Sequence, residues 1–330
     1  MIVARAPLRV SLAGGGTDLP AFARRVGARV LSVAIDKYVS VIVHQPVADD
    51  LIRAKYGRVE EVENLGDLRH ELLRPVLERY GPCARIEVIT CADVPAGTGL
   101  GSSGAFLVAL LGAVHRLNGR CRTARELADE AVHVEQRQAR RPVGFQDPFA
   151  SAHGGLRLMV GDTTDHVTVS PDLTSEGHRA LGWLRLYYTG LRRESSPVLR
   201  DVQRSYAREK ESELRQRLAD AEHAEKAFLS GDADAFSEYM NDAWRRKQAA
   251  SPLTSSAWLD ELLLAARDLG ASAGKVIGAG GGGFLLIVAR PELVDGRRLD
   301  LRMIELGVRP VPFVPDRHGI QITRIGDDPL

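Results

Sequence analysis

The sequence has few cysteines, almost no net charge and no long hydrophobic run. Its three cysteines, Cys83, Cys91 and Cys121, are odd in number and form no C-x-x-C pair. They exclude a disulfide or zinc framework and predict reduced, half-buried thiols. Lys and Arg total 44 against 43 for Asp and Glu, a formal charge of +1. No bulk field therefore draws the chain onto nucleic acid or an anionic membrane, and any bound anion must be held locally.

The hydrophobic stretches are too short for a membrane helix. The longest of them, such as residues 105–114, fall well short of the roughly 18 residues that a span requires. Arg5 and Arg9 interrupt the apolar residues of the N-terminus, which argues against a secretory signal peptide. We therefore expect a cytoplasmic protein with neither a membrane nor a nucleic-acid partner.

The chain is long enough for two domains of about 150 residues each. A strongly helical, charged region begins at residue 196, and this change in composition predicts a boundary near residues 170–190. We place the domains at 1–175 and 176–330. The hydrophobic spacing predicts strands over 35–43, 84–91, 156–160, 166–169 and 183–188, and helices over 65–80, 102–117, 123–139, 196–249 and 257–269.

Glycine is abundant, with 32 residues, many of them in clusters. The segment Gly99-Leu-Gly-Ser-Ser-Gly104 follows a predicted strand, opens a predicted helix and matches the G-x-G-x-x-G dinucleotide fingerprint. An NAD-dependent dehydrogenase is disfavoured, because the acidic residue that would hold the ribose about 20 positions later is missing. A Walker A loop is excluded, because no G-K-[ST] follows any glycine run.

A glycine turn that runs into a helix still offers free N–H groups and a helix dipole to a polyphosphate. Ser102 and Ser103 stand at the helix start, where hydroxyls can orient phosphate oxygens or complete a magnesium shell. The alternative is structural, with the serines capping a buried helix and the glycines forming a tight turn.

A second helix is predicted to begin at the capping box Thr123-Ala-Arg-Glu126. On its helical wheel, Leu127, Ala131 and Val134 form an apolar face that also contains Glu135. We therefore expect the Glu135 carboxylate to point toward the interior.

Three glycine-rich segments, in order, resemble the signature motifs of the GHMP kinases, the superfamily named for galactokinase, homoserine kinase, mevalonate kinase and phosphomevalonate kinase. They are residues 5–18 (RAPLRVSLAGGGTD), 95–105 (PAGTGLGSSGA) and 275–284 (KVIGAGGGGF). The resemblance implies an α+β fold in two domains, the first like ribosomal protein S5 domain 2 and the second ferredoxin-like. ATP and the substrate are expected in the cleft between them.

Residues 14–20 (GGGTDLP), 144–155 (GFQDPFASAHGG) and 188–196 (YTGLRRESS) further resemble the sugar-phosphate kinases typified by D-glycero-D-manno-heptose 7-phosphate kinase, with the kinase domain of bacterial fucokinase nearby. This implies ATP-dependent phosphorylation of the anomeric hydroxyl of a heptose 7-phosphate or similar sugar phosphate. The alternatives are a kinase for a free hexose such as fucose, and a kinase-like sugar sensor without turnover. The sugar, its anomer and the oligomeric state stay open, with a homodimer as one arrangement.

The resemblance also implies catalytic roles. Asp147 matches the general base of related sugar kinases, although an Asp before Pro148 is also a good N-cap. Arg9 matches the basic residue near that base and the reacting phosphate. Glu135, with Ser102 or Ser103, matches the Mg²⁺ site, the alternative being a buried salt bridge to an arginine.

The remaining expected contacts are with ATP and the acceptor. An acceptor that already carries a phosphate calls for the planar fork of an arginine, and Arg192 or Arg193 is the candidate clamp. ATP is expected on Pro95, Gly97, Gly99, Leu100, Gly101, Ser102 and Ser103. The acceptor sugar is expected on Gly16, Thr17, Asp18, Gly280, Gly281 and Gly282.

Overall fold

The computed structural model describes residues 1–82, 84–192 and 195–326, which form two β-sheets with helices packed on them. The strands are β1 (Ile2–Ala13), β2 (Ala28–His44), β3 (Ile52–Lys55), β4 (Val59–Val62), β5 (Ile86–Ala92), β6 (Leu156–Gly161), β7 (Val167–Val169), β8 (Leu184–Tyr188), β9 (Ala273–Val276), β10 (Phe284–Val288), β11 (Arg309–Pro310) and β12 (Gln321–Arg324). The helices are α1 (Pro20–Val26), α2 (Leu73–Tyr80), α3 (Ser102–Leu117), α4 (Ala124–His133), α5 (Gln146–His153), α6 (His178–Leu181), α7 (Ser195–Arg208), α8 (Glu211–Ser230), α9 (Ala233–Ala250), α10 (Ala257–Asp268) and α11 (Gly296–Glu305).

The first sheet has the strand order β12-β1-β2-β5-β3-β4, with β6 also on β2 and β7 on β6. β2 is long enough to pair with β6 through its first half and with β5 through its second half. The β1–β2 register shifts between Pro7 and Leu8 and again between Ser11 and Ala13. The first shift follows a proline, which has no N–H for the ladder. The two irregularities flank Arg9, whose side chain points into the cleft described below.

The second sheet is antiparallel with the order β11-β8-β10-β9. The chain passes from the first sheet to the second between β7 and β8, a stretch that brackets the proposed boundary at residue 175. It does not stay there, because β12 returns to pair with β1. The two predicted domains therefore share the first sheet, and residues 321–324 belong structurally with the N-terminal one.

Helix α3 is the central helix of the first domain and coincides with the predicted segment. Residues 104–115 are all buried, because β1, β2, α4 and α5 surround the helix. α4 begins with the predicted capping box, in which Thr123 accepts from the N–H of Glu126 and Glu126 accepts from the N–H of Thr123. The α+β prediction is confirmed by these two sheets and their helices.

Several local predictions were wrong. Residues 65–80 do not form one helix, since a 3₁₀ turn at Leu65–Asp67 precedes α2. The helix predicted to run to residue 139 changes to a π-helical turn at Val134–Gln138. Cys91 and Cys121 are exposed rather than half-buried, and Cys83 lies outside the described residues. No helix in the described part of the chain combines the length and apolarity needed to cross a bilayer.

Candidate active site

A cleft of about 1500 Å³ opens between elements of the two sheets. β1, the turn at residues 14–18, the loop before α3 and the start of α5 line one side. α7, α9, β9 and the loop after β9 line the other. All three glycine-rich segments of the sequence therefore meet at one cavity.

The glycine loop before α3 leaves the start of that helix open. Gly101 is the N-cap residue in the left-handed conformation, with φ of +78°, and no side chain caps the helix. The first N–H groups of a helix have no partner within it, and they carry the positive end of its dipole. An added Cβ at Gly101 would lie 3.2 Å from both Arg9 Cγ and Asp147 Cγ. Any other residue here would strain the left-handed backbone and crowd Arg9 and Asp147, so glycine keeps the helix start open.

The third glycine segment packs directly on this loop. A Cβ on Gly278 would lie 2.5 Å from the Cα of Gly99, and one on Gly99 would lie 2.5 Å from the carbonyl oxygen of Ile277. Both contacts are between backbones, so no side chain can move aside to relieve a substitution. The second domain thus supports the loop through contacts that only glycine permits.

Arg9 and Asp147 form a short ion pair beside the loop. The Nε of Arg9 donates to Asp147 Oδ1 at 2.7 Å, its Nη2 lies 2.6 Å from the same oxygen, and its Nη1 donates to the carbonyl of Gly99 at 2.6 Å. Arg9 is 5% exposed, whereas the side chain of Asp147 retains 28% exposure toward the cleft. The guanidinium therefore fixes the carboxylate next to the start of α3 while leaving it accessible.

Asp147 does not cap its helix. α5 begins at Gln146, its N-cap is Phe145, and no side chain caps it. Asp147 lies inside the first turn, where the backbones of α3 and α5 touch: a Cβ on Gly104 would lie 2.7 Å from Asp147 Cβ. The N-cap alternative is wrong, and the carboxylate is held by Arg9 instead.

Glu135 is buried as predicted, with 1% exposure, in the π-helical turn after α4. Burial raises its pKa to about 7, with Asp147 adding to the rise and a hydrogen bond from Ser103 opposing it. Within the described residues its Oε1 has no hydrogen-bond partner, nor does the Oγ of Ser102. No arginine pairs with it there either, so the salt-bridge alternative is wrong for the described part of the chain.

These orphaned oxygens fit a magnesium ion. Mg²⁺ prefers oxygen ligands and usually takes only one or two from side chains, the rest coming from phosphates and water. The described residues contain no group of three His, Cys, Asp or Glu that could hold a metal by themselves. A single carboxylate with two hydroxyls, Glu135, Ser102 and Ser103, matches a metal that arrives with a nucleotide.

Asp18 lies between the Gly14–Gly16 turn and the start of α5. Its Oδ1 accepts from the N–H of Gly16 at 3.1 Å and its Oδ2 from the N–H of Gln146 at 3.2 Å. Burial and, second, the charge of Asp147 raise the pKa of Asp18 to about 6. The Thr17 hydroxyl donates to the carbonyl of Gly14 at 2.8 Å, so it serves the turn itself.

Most, but not all, of the residues predicted to contact ATP or the acceptor line the cleft. Pro95, Gly97, Gly99, Gly101, Ser102 and Ser103 line the cleft. Leu100 is fully buried beneath the loop, and its carbonyl accepts from the Arg9 backbone at 3.0 Å. Gly280 and Gly282 line the cleft, whereas the N–H of Gly281 donates to the Thr254 carbonyl at 2.5 Å. Leu100 and Gly281 are not among the residues that line the cleft, and their expected ligand contacts stay predictions.

Arg192 is exposed and lines the cleft, and Arg193 lies outside the described residues. Arg140 and Arg141 also line it, but Arg141 donates to Glu71 at 3.2 Å.

Two features of the cleft were not predicted from the sequence. One is a pair of lysines, Lys247 on α9 and Lys275 on β9. The other is an aromatic cluster, in which the centroid of the His70 ring lies 4.5 Å from that of Tyr56 and 5.0 Å from that of Phe106. The sequence did contain a signal that sets Lys275 apart, since it is the only charged residue between Asp268 and Arg290.

Comparisons with known proteins match both domains. The family model of the GHMP kinases N terminal domain matches residues 68–155, and that of the GHMP kinases C terminal matches residues 224–297. The chain is 27% identical over 306 residues to D-glycero-alpha-D-manno-heptose 7-phosphate kinase from Campylobacter jejuni, covering 86% of this chain and 88% of that protein. It is also 24% identical to L-fucokinase/L-fucose-1-P guanylyltransferase from Bacteroides fragilis, over 87% of this chain but only 34% of that longer protein.

A crystal structure of a D-glycero-D-manno-heptose 1-phosphate kinase from Bacteroides thetaiotaomicron shares the fold, with a TM-score of 0.77 and 22% identity over 99% of this chain and 100% of that one. Both family models match in the expected order, and the fold agrees along the whole length. The chain therefore carries the N-terminal and C-terminal domains of the GHMP kinases.

Proposed function

We propose that this protein transfers the γ-phosphoryl group of ATP to the anomeric hydroxyl of a heptose 7-phosphate or a similar long-chain sugar phosphate, giving a sugar 1,n-bisphosphate and ADP. The observation that carries the proposal is the Arg9–Asp147 pair, which places an accessible carboxylate beside an uncapped helix start. The Campylobacter jejuni relative, named as a heptose 7-phosphate kinase, supports the choice of substrate class.

The nucleotide is assigned to the loop before α3. The N–H groups at the helix start suit its phosphates, and the serines at positions 102 and 103 add hydroxyls. Tyr56, His70 and Phe106 give the same cleft a cluster of aromatic side chains that suits a nucleobase. A cleft that bound inorganic phosphate alone would not need these aromatic side chains.

Phosphoryl transfer depends mainly on positioning and charge neutralisation. Asp147 takes the proton of the acceptor hydroxyl, whose oxygen forms a bond to the γ-phosphorus while the bond from that phosphorus to the β-phosphate oxygen breaks. Arg9 holds the Asp147 carboxylate in place. Glu135, Ser102 and Ser103 would hold Mg²⁺, which would neutralise phosphate charge.

The acceptor is assigned to the side of the cleft formed by Asp18 and the third glycine segment. Asp18 accepts hydrogen bonds from two backbone groups, and its remaining lone pairs can accept from sugar hydroxyls. Arg192 and Arg193 are the proposed clamp for a phosphate that the acceptor already carries.

A kinase for a free hexose such as fucose is the second candidate, favoured by the match to the Bacteroides fragilis fucokinase. The test is incubation with ATP, magnesium and a panel of seven- and eight-carbon sugar phosphates beside free hexoses, with products identified by phosphorus NMR. We expect a new anomeric phosphate only from the sugar phosphates. A product from free hexoses alone supports the fucokinase alternative, and sugar binding without product supports a silent sensor.

A further inference from the structure

Two lysines on the second-domain side of the cleft have no part in the reaction described so far. Lys247 lies on α9 and donates from Nζ to the carbonyl of Gly278. Lys275 lies on β9 and donates from Nζ to the carbonyl of Leu12 at 2.9 Å. Each ammonium has three N–H donors, so a hydrogen bond to one backbone carbonyl leaves two donors for a ligand.

The charges of both lysines are uncompensated in the part of the chain that the structure describes. No carboxylate lies within ion-pair distance of either one there, whereas Arg217 and Arg246, which also line the cleft, pair with Glu209 and Asp220. Burial is the main cause that lowers the pKa of Lys247 to about 8 and of Lys275 to about 7, and Arg9 lowers both further. An uncompensated group of cations in a cleft is stabilised by an anionic ligand.

The position of the lysines indicates which part of the ligand they meet. Gly278, which accepts from Lys247, is the residue that packs against Gly99 of the phosphate loop. Leu12, which accepts from Lys275, lies on β1 three residues after Arg9, the residue that holds Asp147. They therefore lie where the phosphate loop and the base meet, not at a remote end of the cleft.

We propose that Lys247 and Lys275 bind the γ-phosphoryl group of ATP from the side opposite α3 and neutralise its charge during transfer. This inference rests on the proposed function. The transferred group spreads negative charge over its three equatorial oxygens, and preorganised cations stabilise that charge. The negative charge of the bound phosphoryl group favours the charged form of both lysines. They donate hydrogen bonds and keep their protons, since the acceptor proton goes to Asp147 and the bond to ADP breaks as the acceptor bond forms.

The test compares Lys247→Met and Lys275→Met with the matched control Lys226→Met. Lys226 is an exposed lysine on α8 that pairs with Glu222 and is not among the residues that line the cleft. Binding of AMPPNP and of ADP is measured for each protein by calorimetry with magnesium present. Turnover is measured with the best phosphorylated acceptor of the panel and with its dephosphorylated analogue, and folding is checked by circular dichroism.

For each cleft variant we expect AMPPNP affinity and kcat/KM to fall about 10- to 100-fold, the usual cost of losing a charged hydrogen bond, while ADP affinity changes less than about threefold. The loss of kcat/KM should be equal for both acceptors. Equal loss of AMPPNP and ADP, or no loss of either, overturns the assignment to the γ-phosphoryl group. A loss confined to the phosphorylated acceptor overturns it in favour of an acceptor-phosphate site.

Two precautions keep the outcome clear. Should Lys275→Met fail to fold, Lys247→Met carries the test, because its side chain lies on a helix surface rather than within a sheet. If the parent protein phosphorylates no sugar of the panel, the proposed function fails, but the AMPPNP and ADP comparison still decides where the lysines act.

Discussion

Gly99 and Gly278 touch through their backbones across the cleft, so that the nucleotide loop of one domain rests on a turn of the other. A Cβ on Gly278 would come within 2.5 Å of Gly99 Cα, and the φ of Gly278 is +69°. This contact ties the shape of the phosphate loop to the position of the second domain.

The Gly278→Ala variant should therefore lose nucleotide affinity. The clash must displace the loop, and we expect ATP affinity to fall at least about tenfold, equivalent to about 1.4 kcal/mol. Gly119→Ala is the matched control, because Gly119 has a φ of +71° and no atom within 4 Å of an added Cβ. It should cost stability through backbone strain alone and leave ATP binding intact. Equal ATP affinity in the two variants would show that the contact does not shape the loop.

Asp147→Asn should remove the base without disturbing the helix. Because α5 begins before Asp147 and takes no cap from it, any fall in melting temperature should come from the weakened pair with Arg9 and not from the helix. General-base catalysis is typically worth about 10²- to 10⁴-fold, and we expect a loss of kcat in that range with ATP affinity retained. Steady-state kinetics and calorimetry measure both. Activity within about twofold of the parent would leave Asp147 as a structural partner of Arg9 only.

Glu135 should destabilise the ligand-free protein at neutral and alkaline pH. Its folded-state pKa of about 7 exceeds the ordinary value of 4.5, so the unfolded chain binds fewer protons between those values. Stability is then lost as pH rises from 4.5 through about 7, and it is restored below 4.5. Glu135→Gln should raise the free energy of unfolding by on the order of 1–3 kcal/mol at about pH 8, with no gain at low pH.

Denaturant melts at about pH 5 and pH 8, without nucleotide or metal, check this prediction. Glu71→Gln is the control, since Glu71 is largely exposed and should show no such pH-dependent gain. The Glu135 variant should also need more magnesium for half-maximal activity. A variant that is less stable than the parent at pH 8, or fully active at low magnesium, would assign Glu135 a structural role.

Arg192→Ala tests the acceptor clamp. Loss of a charged hydrogen bond to a phosphate costs on the order of 1.5 to 3 kcal/mol, so kcat/KM should fall roughly 10- to 150-fold for a heptose 7-phosphate and hardly at all for its dephosphorylated analogue. Arg140→Ala is the control, because Arg140 is also exposed and lines the cleft. The same assay with Arg193→Ala completes the pair. If no variant changes the preference between the two acceptors, the clamp lies elsewhere.

Local patterns in the sequence were enough to predict α3, the capping box of α4 and the inward direction of Glu135. Each depends on spacing within one helix, where burial and periodicity are directly linked. The π-helical turn after α4 was not predicted, because it adds a residue to one turn without changing composition. The pairing of Arg9 with Asp147 joins residues 138 positions apart, so only the resemblance to the GHMP kinases pointed to it.

The lysines of the cleft show the limit of sequence reasoning most clearly. Lys247 lies in a helix that carries many charged residues, and nothing in its spacing separates it from solvated neighbours such as Arg245. Its distinction is that α9 turns this one position toward the Gly278 carbonyl. That property belongs to the packing of two domains and has no local signature.

The pairing of β12 with β1 constrains how the chain can fold during synthesis. β1 is made long before β12, yet the register Ile2↔Arg324 shows that one of its two neighbours comes from residues 321–324. Until the ribosome has released that segment, the N-terminal domain exposes the unpaired N–H and C=O groups of β1 along one edge. Exposed edges of this kind recruit other strands, so the nascent protein should depend on chaperones until β12 closes the sheet.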